Sequence, residues 1–331
     1  MNHSTVPPPV TQVMDEAESW LPRLMGAVET RLAELVEGYG EALGEDARAT
    51  LKAGGKRLRP MLVLLCAGPD AAPAAMRGAA AIELVHMATL VHDDVLDQAP
   101  LRRGLPTVVA TSGRGRATAV GDLLLSRAFG ELADAKDAGG ERQVALLAGA
   151  SVGLALGELA QRRDAFDMNT TAERYLDRCR LKTARLFECA CLIGRVSAGD
   201  DPAADALRTF GSEIGLAFQL LDDVLDVAGP PERTGKARGT DLLDGTVTLP
   251  LIVARGRGPE LETLDLRTLD GRSAEEACER IAKTGALEEV RADARARVAE
   301  GKRVIASCEA LSETQRRLLS LVADGVVERY A

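Results

Sequence analysis

Aromatic residues are scarce in this chain: one Trp, three Tyr and five Phe make up 3% of its 331 residues. Strand-rich folds draw on aromatic and β-branched side chains, and no stretch alternates convincingly with period two, so a sheet-based architecture is disfavoured. Cysteine is present but unpaired in pattern. Cys66, Cys179, Cys189, Cys191, Cys278 and Cys308 are scattered, mostly through apolar helical runs, and Cys189 and Cys191, two apart, project from different helix faces. Neither a zinc set nor a disulfide framework is indicated, and buried free thiols are expected. Basic excess is missing too: the net charge of −9 has the wrong sign for a nucleic-acid partner. The opening MNHSTVPPPV lacks the apolar centre of a signal peptide, and no apolar run reads as long enough to span a membrane. The expected location is the cytoplasm.

What is abundant is Ala, Leu, Arg and Glu, which favour helices. Hydrophobic residues at 46% and charged residues at 27% suit a globular protein. Residues 1–10, rich in Pro, are expected to be disordered. Trp20, Leu21, Leu24, Met25, Val28, Leu32, Leu35 and Val36 then recur at helical spacing, with Pro22 near a helix start. Gly54 and Gly55 break the chain before an apolar run from Met61 to Cys66. Helical patterns follow at about 74–98, 117–136, 141–165, 172–196, 203–227, 274–283, 286–309 and 312–329. No linker divides them, so one all-α domain over 1–331 is expected.

The chain is organised around Glu83 to Thr107. An apolar helix (Leu84, Val85, Met87, Ala88, Leu90, Val91) runs into Asp93, Asp94 and Asp97. Positions four apart share a helix face, so Asp93 and Asp97 point the same way. Uncompensated buried carboxylates are costly, and Mg²⁺, which takes one or two carboxylates plus substrate phosphates, offsets that cost. Arg102 and Arg103 follow, with planar forks suited to phosphate. Alone, DDxxD reads as a solvated acidic turn. A second copy changes that reading: Gly215 to Val227 is again apolar and ends in Asp222, Asp223 and Asp226. Two acidic helix ends can face one another across a central cavity and hold a metal–diphosphate cluster.

Other candidates are weaker singly. GGKRLRP places Lys56, Arg57 and Arg59 after a glycine pair without the spacing of a nucleotide-binding loop. His86 lies two turns before Asp93, and His92 directly precedes it. Lys182 and Thr183 put a cation and a hydroxyl inside a largely apolar helix, where phosphate or a salt bridge is the expected partner. Gln219 is one turn before Asp222. Gly229–Pro250 is polar and glycine-rich, and with Lys236 and Arg238 it reads as a mobile lid. GRGRAT (Gly113–Thr118) follows no strand and reads as an ordinary loop.

Taken together, GGKRLRP, HMATLVHDDVLD, RRG, Gly121–Asp122, GELAQ at Gly157–Gln161, KT, FQLLDDVLD, GTDL and the closing LVADGVVER resemble the trans-isoprenyl diphosphate synthase (polyprenyl synthetase) family over nearly the whole chain. The resemblance implies an all-α isoprenoid-synthase bundle, usually a homodimer. It also implies condensation of isopentenyl diphosphate with an allylic prenyl diphosphate, dependent on Mg²⁺, with three ions in the closed complex. Lys56, Arg59, His86 and Arg103 would hold isopentenyl diphosphate. Arg102, Lys182, Thr183, Gln219 and Lys236 would hold the allylic diphosphate. Asp93, Asp97 and Asp222 would be the metal ligands, supported by Asp94, Asp223 and Asp226. Val85, Ala88 and Thr89 lack the bulk that stops short chains in the family, so a medium or long product is expected over geranylgeranyl diphosphate. No transmembrane segment is expected; transient membrane contact during product release is compatible with this reading.

One departure is Thr246, in GTVTLP, where the family commonly has a lysine that contacts the allylic diphosphate. A class I terpene cyclase is the competing enzyme, but its second metal motif is usually of the NSE type. A partner subunit of low activity is the other alternative, supported by Thr246 alone, since both aspartate motifs are intact.

Overall fold

The computed structural model describes residues 8–102, 104–134, 138–198, 202–229 and 238–328. Helices α1 (Pro8–Glu16), α2 (Leu21–Leu35), α3 (Gly40–Lys52), α4 (Leu58–Ala67) and α5 (Ala72–Asp97) lead to an antiparallel ribbon, β1 (Leu101–Arg102) and β2 (Leu105–Pro106). Next come α6 (Val108–Ser112), α7 (Arg114–Ala133), α8 (Ala138–Arg163) and α9 (Ala172–Cys179). A π-helical turn (Arg180–Ala184), α10 (Arg185–Ser197) and α11 (Ala204–Ala228) follow. Short helices α12 (Thr240–Leu243), α13 (Leu249–Arg255) and α14 (Pro259–Glu262) precede α15 (Gly271–Lys283), α16 (Ala286–Ala306) and α17 (Glu313–Glu328).

Helix α5 is central because its apolar positions run all the way round. Ala79, Ala80, Ala81, Ile82, Leu84, Val85, Met87, Ala88 and Val91 are all buried, as expected of a core helix without a polar face. It packs on α4, α7 and α10, while α10 also packs on α8 and α11. The two acid-tipped helices therefore flank α10. Buried side chains from Val13 to Val326 belong to one hydrophobic cluster, and each fully buried Leu or Val contributes about 1.5–3 kcal/mol.

Three expectations are corrected. Residues 8–10 are not disordered but open α1, whose Val13 is buried, as is Ala17 just beyond its end, where the helix packs on α17. GRGRAT is not a loop: Arg114 to Thr118 form the first turn of α7, with Gly113 (φ 80°) before them. Finally, Gly139–Arg163 in α8 is long and apolar enough to cross a membrane, with a third of its most apolar window buried. Glycine and alanine dilute the pattern there. All the cysteines except half-buried Cys308 are buried free thiols.

Candidate functional site

The end of α5 carries the first motif. Gln98 closes the helix in a left-handed conformation (φ 52°), with its amide on the Asp94 carbonyl. The turn that follows sends Arg102 back over Asp94, Nη2 to Oδ1 at 2.7 Å. Asp97 is exposed and receives Arg162 Nη2 at 2.5 Å from the last turn of α8. Arg162 Nε also reaches Glu158 Oε1 at 2.7 Å, and Lys182 Nζ meets Glu158 Oε2 at 2.5 Å. Burial raises Asp93 to about 6; Glu158 and Asp97 add to this, while Lys182 and Arg102 oppose it. Burial disfavours the Lys182 ammonium, but Asp93 and Glu158 outweigh it and raise its pKa.

Lys182 and Thr183 owe their positions to the π-helical turn, a feature that recurs at functional sites. Two glycines allow neighbouring helices to clamp it. A Cβ at Gly157 on α8 would lie 2.6 Å from the Lys182 nitrogen, and one at Gly215 on α11 would lie 2.6 Å from the Ala184 Cα. Inside this clamp Lys182 faces the first motif, while Thr183 donates its hydroxyl to Gln219 Oε1 on α11 at 2.7 Å. The π turn thus joins the two acidic helices chemically.

On α11, Asp222 is exposed and Asp223 is buried. Asp223 accepts the Tyr175 hydroxyl at 2.6 Å and Gln219 Nε2 at 2.7 Å. Burial, with Asp241 close by, nonetheless holds Asp223 well above the usual carboxylate range. Asp226 Oδ2 accepts the Asp241 amide at 3.2 Å, and the Asp226 carbonyl accepts the Gly239 amide at 3.0 Å. Residues 238–250, the described part of the expected lid, are held against α11 by hydrogen bonds. Arg238 is turned onto the Val227 carbonyl at 2.9 Å, α12 is tied to α11, and Thr246 is buried with its amide on the Asp241 carbonyl at 2.7 Å. Lys236 and Arg103 lie outside the described residues.

In GGKRLRP the three cations separate. Lys56 is exposed. Arg57, in a left-handed conformation (φ 47°), turns inward to Glu29 at 2.5 Å and Glu83 at 2.6 Å. Arg59 stacks on Phe187 at 4.5 Å, and its buried Nε has no hydrogen-bond partner among the described residues. Burial lowers Arg59 to about 10, against the pull of Glu83. Such an orphaned donor is suited to an anion. His86 lines a cavity of about 360 Å³ between α3, α5, α6 and the ribbon, together with Arg57, Leu90, Asp94 and Arg102. At 100° per residue, Val85, Ala88 and Thr89 project from the opposite flank of α5. Val85 and Ala88 are fully buried, and Thr89 is half-buried with its hydroxyl on the His86 carbonyl at 2.8 Å. His92 pairs with Asp122 on α7 at 3.3 Å.

Among the described residues, no three His, Cys, Asp or Glu side chains form a cage for a metal. Carboxylates on two helix ends, with Asp93 and Asp223 raised by burial, instead suit Mg²⁺ that completes its shell with phosphate and water. Glu158, Arg162, Tyr175 and Asp241 were not anticipated as site residues. Glu158 carried a signal, as an acid embedded in an apolar helix with Arg162 four residues on. Tyr175 carried none.

The polyprenyl synthetase profile matches residues 41–284. A protein of Geobacillus stearothermophilus named heptaprenyl diphosphate synthase component 2 is 41% identical over 239 residues, covering 71% of this chain and 74% of that one. The octaprenyl diphosphate synthase of Escherichia coli is 33% identical over 301 residues, 88% of this chain and 91% of its own. Among solved structures, a polyprenyl synthase of Caulobacter crescentus, complexed with calcium and isoprenyl diphosphate, superposes with a TM-score of 0.89 at 34% identity. It covers 97% of this chain and 98% of that one.

Proposed function

The chain belongs to the polyprenyl synthetase family of all-α trans-prenyltransferases, and from that premise we propose that it condenses isopentenyl diphosphate with an allylic prenyl diphosphate to a medium- or long-chain polyprenyl diphosphate. The observation that carries the reading is the clamped π turn, which sets Lys182 on Glu158 beside the first motif and Thr183 on Gln219. Heptaprenyl and octaprenyl relatives and the small Ala88 and Thr89 support the longer product.

Asp93, Asp97 and Asp222 would hold Mg²⁺, three ions in the closed complex, with Asp94, Asp223 and Asp226 in support. The metal, when bound, supplies Lewis-acid stabilisation of negative charge on the leaving diphosphate. Lys182, Thr183, Gln219 and Arg102 orient the allylic diphosphate, joined by Lys236. Arg59, Lys56, His86 and Arg103 hold isopentenyl diphosphate on the adjoining flank of α5. Cleavage of the allylic carbon–oxygen bond leaves a carbocation, which the isopentenyl alkene attacks to form the new carbon–carbon bond; the proton then lost passes to the released diphosphate. The apolar walls of the bundle exclude water that would quench the cation.

A second copy of the chain is the partner proposed. Val152, Leu156 and Leu159 are large apolar residues exposed at helical spacing on α8, a stripe that a homodimer would bury. The name of the Geobacillus relative supports a heteromer as the second reading. One domain acting in the cytoplasm completes the proposal, with exposed Leu96, Leu101 and Leu105 beside the first motif for transient membrane contact. Purified protein incubated with Mg²⁺, isopentenyl diphosphate and ten-, fifteen- and twenty-carbon allylic starters should yield elongated products by chain-length analysis. A well-folded protein that elongates none of them would refute the assignment, and mass measurement in solution decides between dimer and heteromer component.

A further inference from the structure

We propose that Arg162 is a diphosphate-binding cation of the allylic site, supplying from α8 the charge that Thr246 does not provide. The inference rests on the prenyltransferase reading and on three observations. First, Arg162 uses Nη2 on Asp97 and Nε on Glu158. A guanidinium has five donors, and this side chain is 42% exposed, so an open edge remains beside the carboxylate assigned to metal. A diphosphate brought to Asp97 is brought to Arg162 as well. Planar forks of this kind suit phosphate.

Second, the chain beyond α8 leads directly to the Thr246 strap. Phe166 is four residues after Arg162, and its amide donates to the Gly245 carbonyl at 2.7 Å. Its ring closes against Gly245 so tightly that a Cβ there would lie 2.6 Å away. Helix α8 therefore ends between the first motif and Thr246. Third, Arg238, which among the described residues is the cation of the Thr246 segment, is turned away onto the Val227 carbonyl. Glu158 grips both Lys182 and Arg162 and so holds two cations on one carboxylate.

The test uses the full-length protein with Arg162→Gln, Thr246→Lys and the double variant. Calorimetry gives the Kd for inorganic diphosphate at saturating Mg²⁺, and steady-state kinetics separate the KM for the allylic starter from that for isopentenyl diphosphate. Arg162→Gln should weaken diphosphate binding and raise the allylic KM by about ten- to a hundredfold, the usual effect of losing a charge-assisted hydrogen bond. The KM for isopentenyl diphosphate and the melting temperature should hold. Thr246→Lys in the Arg162→Gln background should recover most of the loss, because it returns a cation to the same ligand. Unchanged diphosphate affinity in Arg162→Gln, or a double variant no better than the single, overturns the assignment. Equal loss of both substrates with a lower melting temperature shows a structural ion pair and overturns it too. A wild type that condenses no prenyl substrates fails the proposed function itself; an active wild type with an indifferent Arg162→Gln fails only this inference.

Discussion

Asp93 offers a sharp perturbation, because its protonation ties stability to pH without any need for turnover. Burial, with Glu158 and Asp97 nearby, raises its pKa from 3.8 to about 6. The folded state therefore binds this proton more tightly than the unfolded chain does. The associated stability is fully present below about pH 3.8 and is lost as pH rises through about 6. A rise of this size corresponds to about 3 kcal/mol. Asp93→Asn keeps a neutral side chain at every pH. Relative to wild type, the Asn variant should gain about 3 kcal/mol in stability between about pH 4 and pH 8, measured by urea unfolding in the presence of a chelator. Using the difference between the two proteins removes the titration of Asp223 and other acids common to both. Added Mg²⁺ should then stabilise wild type at the alkaline end by mass action and the Asn variant much less. A stability difference that stays flat across the pH range would refute the argument, since it would mean that Asp93 is solvated like an ordinary surface acid.

Other outcomes follow from single side chains. Asp93→Ala and Asp222→Ala should each lower turnover about 10²–10³-fold in steady-state assays while the fold is retained by circular dichroism. Gly157→Ala should drive a methyl against the Lys182 backbone, costing about 1–3 kcal/mol by chemical unfolding and reducing turnover. Gly149→Ala, also on α8 with open space around it, should be neutral or slightly stabilising in the same experiment. Ala88→Phe should shorten the product in chain-length analysis; an unchanged product would show that this flank of α5 does not set the depth.

The helices and both acidic motifs were legible because each rests on local information. Apolar spacing marks α5 and α11, and the carboxylates fall where the apolar run ends, so helix and chemistry are written in the same dozen residues. The π turn was not legible. Nothing in RLKTA distinguishes it from ordinary helix; it belongs with Gly157 and Gly215, two contacts remote in the chain that let α8 and α11 close upon it. Arg57 shows the same limit from the other side. Composition groups it with Lys56 and Arg59 as one basic loop, yet its left-handed backbone and its pairing with Glu29 and Glu83 direct it inward. Only tertiary partners separate a cation that shapes the loop from one with an unused donor. Arg162 carries the argument furthest. As part of a terminal RRD it reads as the basic end of a helix, a role that the helix dipole rewards by itself. Its contact with Asp97, 65 residues earlier, makes the first motif more than three acids awaiting a metal: it is an array of carboxylates already interleaved with Arg102, Arg162 and Lys182. Such an array offsets only part of the cost of burying Asp93, and under the proposed function the same cations would be in place for an incoming diphosphate.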